Sequence, residues 1–385
     1  MNEGKRLSVL DSLRGIAAFG IAFFWHYQHF NPKYGFPFSG KAYWFYHFGA
    51  NLVDFFFVIS GFIFSYVYMN KIVNKTVSAK EFSIFRFSRL YPLHFITLIT
   101  VALLQYIRFL GGWDPFQYPN NDVYHFILNV FFIQFGWFES GFSFNGPSWS
   151  LAAEIVAYVL FFIILSKFGK NKRYIYFYVF LIFLGMYINK TNLNYPLLNT
   201  NMSRVFIGFF IGCIVYILNE KVEKSKIKNR IICGVAILLG IVVFNAITFG
   251  HKTLGNWTFV YTVFIYPSII VLALNIGILT RILRIKPLLF LGNLSYSMYL
   301  WHFPVQITIK TLDDAFKLNI NYSSKWIFVI FVLTTIAVST VSYYFVEKPL
   351  LKYFREKLLI YFSIKPKLIE KKLFVYSNVA GSTQD

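Results

Sequence analysis

Ser8-Val9-Leu10-Asp11-Ser12-Leu13-Arg14-Gly15-Ile16-Ala17-Ala18-Phe19-Gly20-Ile21-Ala22-Phe23-Phe24-Trp25-His26 is an apolar run with two charges near its start and a histidine near its end. Continued to Phe30, it exceeds the ~20 mainly apolar residues that a helix needs to cross a bilayer. Asp11 and Arg14 interrupt the run and no small-residue cleavage site follows. A retained membrane helix is therefore expected, not a cleavable leader. Nine further stretches read the same way: 44–69, 87–107, 148–166, 174–189, 204–219, 231–249, 257–276, 287–309 and 326–346. The expected fold is all-α, a polytopic membrane protein with about ten transmembrane helices. Composition agrees, with 57% hydrophobic, 22% aromatic and only 14% charged residues, against about 25% charged in soluble chains. Cys213 and Cys233 lie in or beside apolar runs, so neither a disulfide framework nor a zinc site is expected, and no metal is assigned.

Orientation follows from Lys and Arg, which accumulate in short cytoplasmic loops. With ten spans and the N-terminus inside, 28 of the 37 basic residues fall on inner segments and 9 on outer ones. The acidic residues divide 9 inside and 7 outside, leaving the inner side about +19 and the outer about +2. An apolar stretch at 123–138 would reverse every later loop if it crossed, so it is expected to be re-entrant or interfacial on the outer side. Both termini are then cytoplasmic. Residues 1–348 form one membrane unit, and 349–385 a basic amphipathic tail suited to the anionic inner leaflet, its last residues, 377–385, disordered. No soluble catalytic domain is expected at either end, which places any chemistry in the membrane part. The net charge of +21 thus points to membrane lipids and not to nucleic acid.

Ionisable groups inside spans are costly and mark candidate sites. Arg14 and His26 share the first span, twelve residues or roughly 18 Å apart on a helix, Arg14 towards the inner end and His26 towards the outer. Asp54, Glu154 and His302 come from three other spans at similar outer depth. Arg14 is also open to the reading of a side chain snorkelling to inner phosphates, His26 to that of a hydrogen-bonded core histidine, and the four outer groups to that of a structural ion-pair network. Arg86 and Arg89 open the third span three residues apart, on one helix face and near a helix N-terminus where anions are favoured. Their planar donors suit phosphate. Two layers result: an inner arginine layer fit for a phosphorylated ligand, and an outer His/carboxylate layer fit for proton transfer.

Six motifs then combine: Leu10-Asp11-x-Leu13-Arg14-Gly15-Ile16-Ala17, Phe56-Phe57-x-Ile59-Ser60-Gly61-Phe62, Arg86-x-x-Arg89-x-x-Pro92, Trp149-Ser150-Leu151 followed by Glu154, Ser295-Tyr296 followed by Tyr299 to His302, and Glu347-Lys348-Pro349. In this order the chain resembles the acyltransferase-3 family of integral membrane acyltransferases, over about residues 8–350. The resemblance implies a multi-pass protein of the bacterial cytoplasmic (inner) membrane. It implies transfer of an acyl group, usually acetyl, from cytoplasmic acyl-CoA to a hydroxyl of a cell-surface polysaccharide or glycan intermediate. It also implies essential roles for Arg14 and His26, and a functional role for Arg86 and Arg89. One feature departs from the family: eleven residues separate Arg14 from His26, where ten are usual. The extra residue turns the side chain by ~100° on a regular helix, and a π-bulge would absorb it. His29 is the other histidine of this segment, and His26 is preferred.

Transfer from a thioester to a hydroxyl needs a base and stabilisation of the oxyanion. His26 is the expected base, with Glu154 or Asp54 orienting it as in other His–acid pairs. Arg14, Arg86 and Arg89 are expected to hold the phosphates of acetyl-CoA. Trp149, Ser150, Tyr299 and His302 are expected to contact the sugar or the thioester carbonyl. The rival reading is a glycan transporter or flippase without chemistry. Such proteins often carry repeated halves, and no internal repeat is found here.

Overall fold

A computed structural model describes residues 3–134, 138–139, 141–248 and 258–362. Among these residues the only strands are a two-residue pair, Asn194–Tyr195 antiparallel to Leu198–Asn199. The helices are α1 (Glu3–Phe19), α2 (Ser39–Phe48), α3 (Asn51–Val73), α4 (Ala79–Leu110), α5 (Val123–Val130), α6 (Trp149–Phe168), α7 (Tyr174–Thr191), α8 (Thr200–Lys224) and α9 (Lys228–Thr248). They continue as α10 (Thr258–Val260), α11 (Tyr266–Asn275), α12 (Gly277–Ile282), α13 (Lys286–Phe316), α14 (Lys325–Ser342) and α15 (Lys348–Tyr361).

Helix makes up most of the described part of each of the ten expected stretches. Seven segments are long and apolar enough to cross a membrane: Leu7–Phe30, Asn51–Val73, Ala79–Leu110, Gly146–Phe168, Tyr174–Thr191, Thr200–Lys224 and Lys325–Tyr361. Tyr261–Asn275 is apolar but shorter. Two boundaries differ from expectation. The stretch 44–69 is two helices, because the chain turns at Gly49 and Ala50 between α2 and α3. The third begins eight residues early, at Ala79, where a capping box closes the helix start: Ser78 Oγ accepts from the Glu81 amide at 3.2 Å and Glu81 Oε2 accepts from the Ser78 amide at 2.8 Å. α5 has eight residues, about 12 Å of helix, which is shorter than a ~30 Å hydrocarbon core. Of the expected tail, α15 is amphipathic helix, and residues 363–385 lie outside the described ones.

Two close helix crossings position the site. A Cβ on Gly15 would lie 2.5 Å from the Gly292 amide nitrogen, and one on Gly292 would lie 2.6 Å from the Asp11 carbonyl oxygen. Backbones at that distance admit only glycine, the small-residue packing of membrane helices. The same holds for α3 on α8, where Gly61 faces the Phe209 carbonyl and Gly212 the Val58 carbonyl.

Gly20–Trp25 is a π turn, followed by a 3-10 turn over His26–Phe30. From the Gly15–Gly292 crossing, His26 is eleven residues along its helix and His302 ten along α13. The wider π turn takes up the extra residue, so the two side chains arrive level. The expected bulge is present where the spacing requires it.

Candidate active site

α13 carries Tyr296, Ser297, Tyr299, His302 and Gln306. Its Pro304 has no N–H to give the Leu300 carbonyl; Asn145 Nδ2 donates to that oxygen instead, at 3.1 Å. This ties the residues before α6 to the middle of α13. Tyr299 adds a second tie, donating to the Pro147 carbonyl at 2.7 Å, with Ser150 Oγ 3.0 Å from its hydroxyl.

Arg14, Arg86 and Arg89 line one cavity of about 120 Å³, together with Ser60, Ser150, Glu154, Tyr296 and Tyr299. Each guanidinium already has company. Arg14 is 3.7 Å from Asp11. Arg86 donates to the Tyr68 hydroxyl at 2.7 Å and stands over the Phe64 and Tyr68 rings. Arg89 forms an ion pair with Glu347, whose other oxygen accepts from Ser297 at 2.6 Å. The Glu-Lys-Pro motif at 347–349 thereby fixes the start of α15 to α4 and α13. Glu347 sits in the π turn Tyr343–Glu347 and is buried.

A second cavity of about 410 Å³ is lined by Trp25, His26, His29, Gln117, Tyr118, Trp149, Arg204 and, again, Tyr299. Tyr299 and Val53 belong to both walls, so the cavities adjoin there. His26 Nδ1 lies 2.7 Å from His302 Nε2, the rings stacked at 4.8 Å between centroids. His302 is fully buried behind it, with Nδ1 3.3 Å from the Met298 carbonyl. Gln306 Nε2 donates to the His26 carbonyl at 2.8 Å, and its Oε1 lies 3.2 Å from His29 Nδ1.

The carboxylate expected to orient His26 is not found among the described residues. Asp54 is occupied by Arg204, whose Nε and Nη2 reach its two oxygens at 2.9 and 3.2 Å. Glu154 receives the Ser60 hydroxyl and faces the arginine cavity, not the histidine one. The outer quartet is therefore split: Glu154 joins the arginines, Asp54 pairs with Arg204, and His26 with His302. Trp149 lies under the Arg204 guanidinium at 5.3 Å. His302, expected at the substrate, is fully buried and lines neither cavity. Among the described residues no group of three or more His, Cys, Asp or Glu is placed to hold a metal ion.

Arg204 lines the histidine cavity and pairs with Asp54, and sequence reasoning misses it. It stands at the first position of the stretch 204–219, where charge counting assigns it to an outer loop, and the signal available is the intramembrane Asp54 lacking a cation. Asn199 caps α8 through the Asn201 and Met202 amides, both at 3.0 Å, and so sets Arg204 in the second turn. Gln306, a buried amide in an apolar part of α13, is the other omission.

A family model described as an acyltransferase domain, acyltransferase-3, matches residues 7–344. The chain is similar to the peptidoglycan O-acetyltransferase OatA of Listeria monocytogenes, 27% identical over 339 residues, covering 78% of this chain and 51% of that protein. It is also similar to the O-acetyltransferase OatA of Staphylococcus aureus, 25% identical over 385 residues, covering 91% and 58%. The chain thus spans just over half the length of these relatives. No solved structure matches it. With a family match over nearly its whole length and helices apolar enough to cross a bilayer, the chain belongs to the acyltransferase-3 family and is a multi-pass membrane protein.

Proposed function

We propose that this chain is a membrane O-acyltransferase of the bacterial cytoplasmic membrane, moving acetyl from cytoplasmic acetyl-CoA to a hydroxyl of a cell-surface glycan. On the orientation expected from the distribution of Lys and Arg, the arginine cavity faces the cytoplasm and the histidine cavity the exterior. The observation that carries the reading is the pair of adjoining cavities, one lined by three arginines and the other by His26, separated at Tyr299 and Val53. The first, about 120 Å³, is smaller than the ~300–1,000 Å³ of a ligand pocket and takes only the acyl end of a long donor, whose phosphates remain at its mouth. The second, about 410 Å³, falls in that range, and its aromatic and amide lining (Trp25, Trp149, Tyr118, Gln117) suits a sugar.

His26 then removes the proton from the acceptor hydroxyl as its oxygen attacks the thioester carbon, and returns it to the departing thiolate. The test is acetyl transfer from labelled acetyl-CoA to a glycan acceptor by purified, lipid-reconstituted protein. His26→Ala should abolish transfer while the protein still inserts. Movement of labelled glycan across the bilayer with no consumption of acetyl-CoA would overturn the proposal in favour of a flippase.

A further inference from the structure

We infer that His302 is a positioning residue that replaces the usual carboxylate of a histidine dyad, holding His26 in the tautomer whose free lone pair faces the acceptor cavity. The inference rests on the acyl-transfer function proposed above. Its starting point is a carbonyl oxygen, which only accepts. His302 Nδ1 lies 3.3 Å from the Met298 carbonyl and must carry the proton there. A neutral imidazole has one N–H, so His302 Nε2 is an acceptor. Neutrality itself follows from full burial with no carboxylate in contact among the described residues, since a buried unpaired charge is costly. His26 Nδ1, 2.7 Å away, must then donate, leaving His26 Nε2 unprotonated and hydrogen-bonded to no described residue.

His29 is excluded from the same role by the neighbouring amide. Gln306 Nε2 donates to the His26 carbonyl, so Oε1 faces His29 and accepts from its Nδ1. The remaining His29 lone pair points to the Tyr118 hydroxyl at 3.5 Å. Of the two histidines lining the acceptor cavity, only His26 keeps a basic nitrogen with no partner among the described residues.

During transfer His26 Nε2 takes the hydroxyl proton, the acceptor O–C bond forms and the C–S bond breaks. The imidazolium keeps its Nδ1–H directed at His302 Nε2, and its Nε2 proton leaves with the CoA thiolate. A neutral acceptor stabilises this cation without the cost of a buried carboxylate.

The test compares His302→Leu with His302→Gln, the amide of which sets an acceptor oxygen near the original Nε2. Leu should lower kcat by two orders of magnitude or more, the scale of a lost or mis-tautomerised base, with the acceptor KM unchanged. Gln should recover most of kcat. A normal kcat for Leu, a raised acceptor KM with kcat kept, or a Gln variant as slow as Leu would each overturn the inference. Nitrogen-15 spectra of histidine-labelled protein read the tautomer without turnover: His26 should be protonated on Nδ1 and lose that preference in His302→Leu. Protonation on Nε2 in the unmodified protein would overturn the inference even if acetyl transfer were intact. Absence of transfer with the expected tautomer would instead refute the function, and with it the catalytic meaning of the dyad.

Discussion

The π turn offers the sharpest test of how the first helix joins the two cavities. On an unbroken α-helix the twelve steps from Arg14 to His26, at 100° each, leave the two side chains about 120° apart, whereas eleven steps leave about 20°. Deleting Ala22 from the turn Gly20–Trp25 should therefore convert the segment to plain α-helix and keep His26 facing His302. Inserting an alanine after Ala22 adds a residue that a single wide turn cannot take up. The imidazole then swings by about 100°, or about 8 Å for a ring some 5–6 Å from the helix axis, and the 2.7 Å contact with His302 is lost.

The assay is the initial rate of acetyl transfer at saturating acceptor, with thermal unfolding in detergent to show that both variants fold. The deletion is expected to stay within about tenfold of the unmodified protein. The insertion should lose on the order of 10²–10⁴, the contribution of a positioned base. The opposite order, an inactive deletion beside an active insertion, would refute the register argument, because it would mean that the turn itself and not the facing of His26 is required.

Arg204→Met alone leaves the buried Asp54 carboxylate unpaired and should cost about 3–5 kcal/mol, whereas Arg204→Met with Asp54→Leu should recover most of it; equal melting temperatures for the single and double variants would contradict the pairing. Arg89→Ala, Glu347→Ala and the double variant should reduce stability by similar amounts, because they remove one shared ion pair; additive losses in thermal unfolding would show the two residues acting separately. Hydrogen bonds from His125 hold the Asp122 carboxyl below the usual carboxylate range. Its support of α5 is therefore present above the unfolded value near 4 and is lost as pH falls through the lower folded value. Asp122→Asn should weaken hydrogen-exchange protection of α5 at neutral pH, and the difference from the unmodified protein should close in acid; a pH-independent difference would refute the cap.

The fold was legible because lipid imposes one rule on every span: long apolar runs become helices, since nothing else satisfies the backbone there. Boundaries were less so. The break at Gly49 and Ala50 lies inside a continuous apolar stretch, and the Ser78–Glu81 cap lies outside one, so hydropathy marks neither. The π turn was suggested by the resemblance, because one residue more than the family's usual spacing between Arg14 and His26 has to be absorbed if both groups keep their facing. The pairing of charges was not legible. Asp54, Glu154 and His26 share a depth by residue count, but depth on separate helices does not fix which faces meet. The glycine crossings decide that, setting α3 on α8 and so Asp54 on Arg204, and setting α1 on α13 and so His26 on His302.

On the proposed function, these pairings also bear on how a phosphorylated donor would be held. Arg89 is neutralised by Glu347, and Arg86 is spread over a tyrosine hydroxyl and two ring faces. Among the described residues Arg14 has only Asp11, at 3.7 Å, so it retains the most capacity for an incoming anion. Glu154 faces the same cavity from α6, hydrogen-bonded to Ser60 in the middle of α3. In the proposed orientation Glu154 thus lies deeper than the arginines, and beyond them the lining of this cavity offers a phosphate no cation. On the proposed function, charge along the path would then sort a CoA donor by chemistry: the phosphates stay with Arg14 at the cytoplasmic mouth, and only the neutral pantetheine end passes Glu154 to Tyr299. An arginine at Glu154 would add cation to the site and yet defeat it, because the phosphates would no longer be kept from the depth at which the thioester must lie.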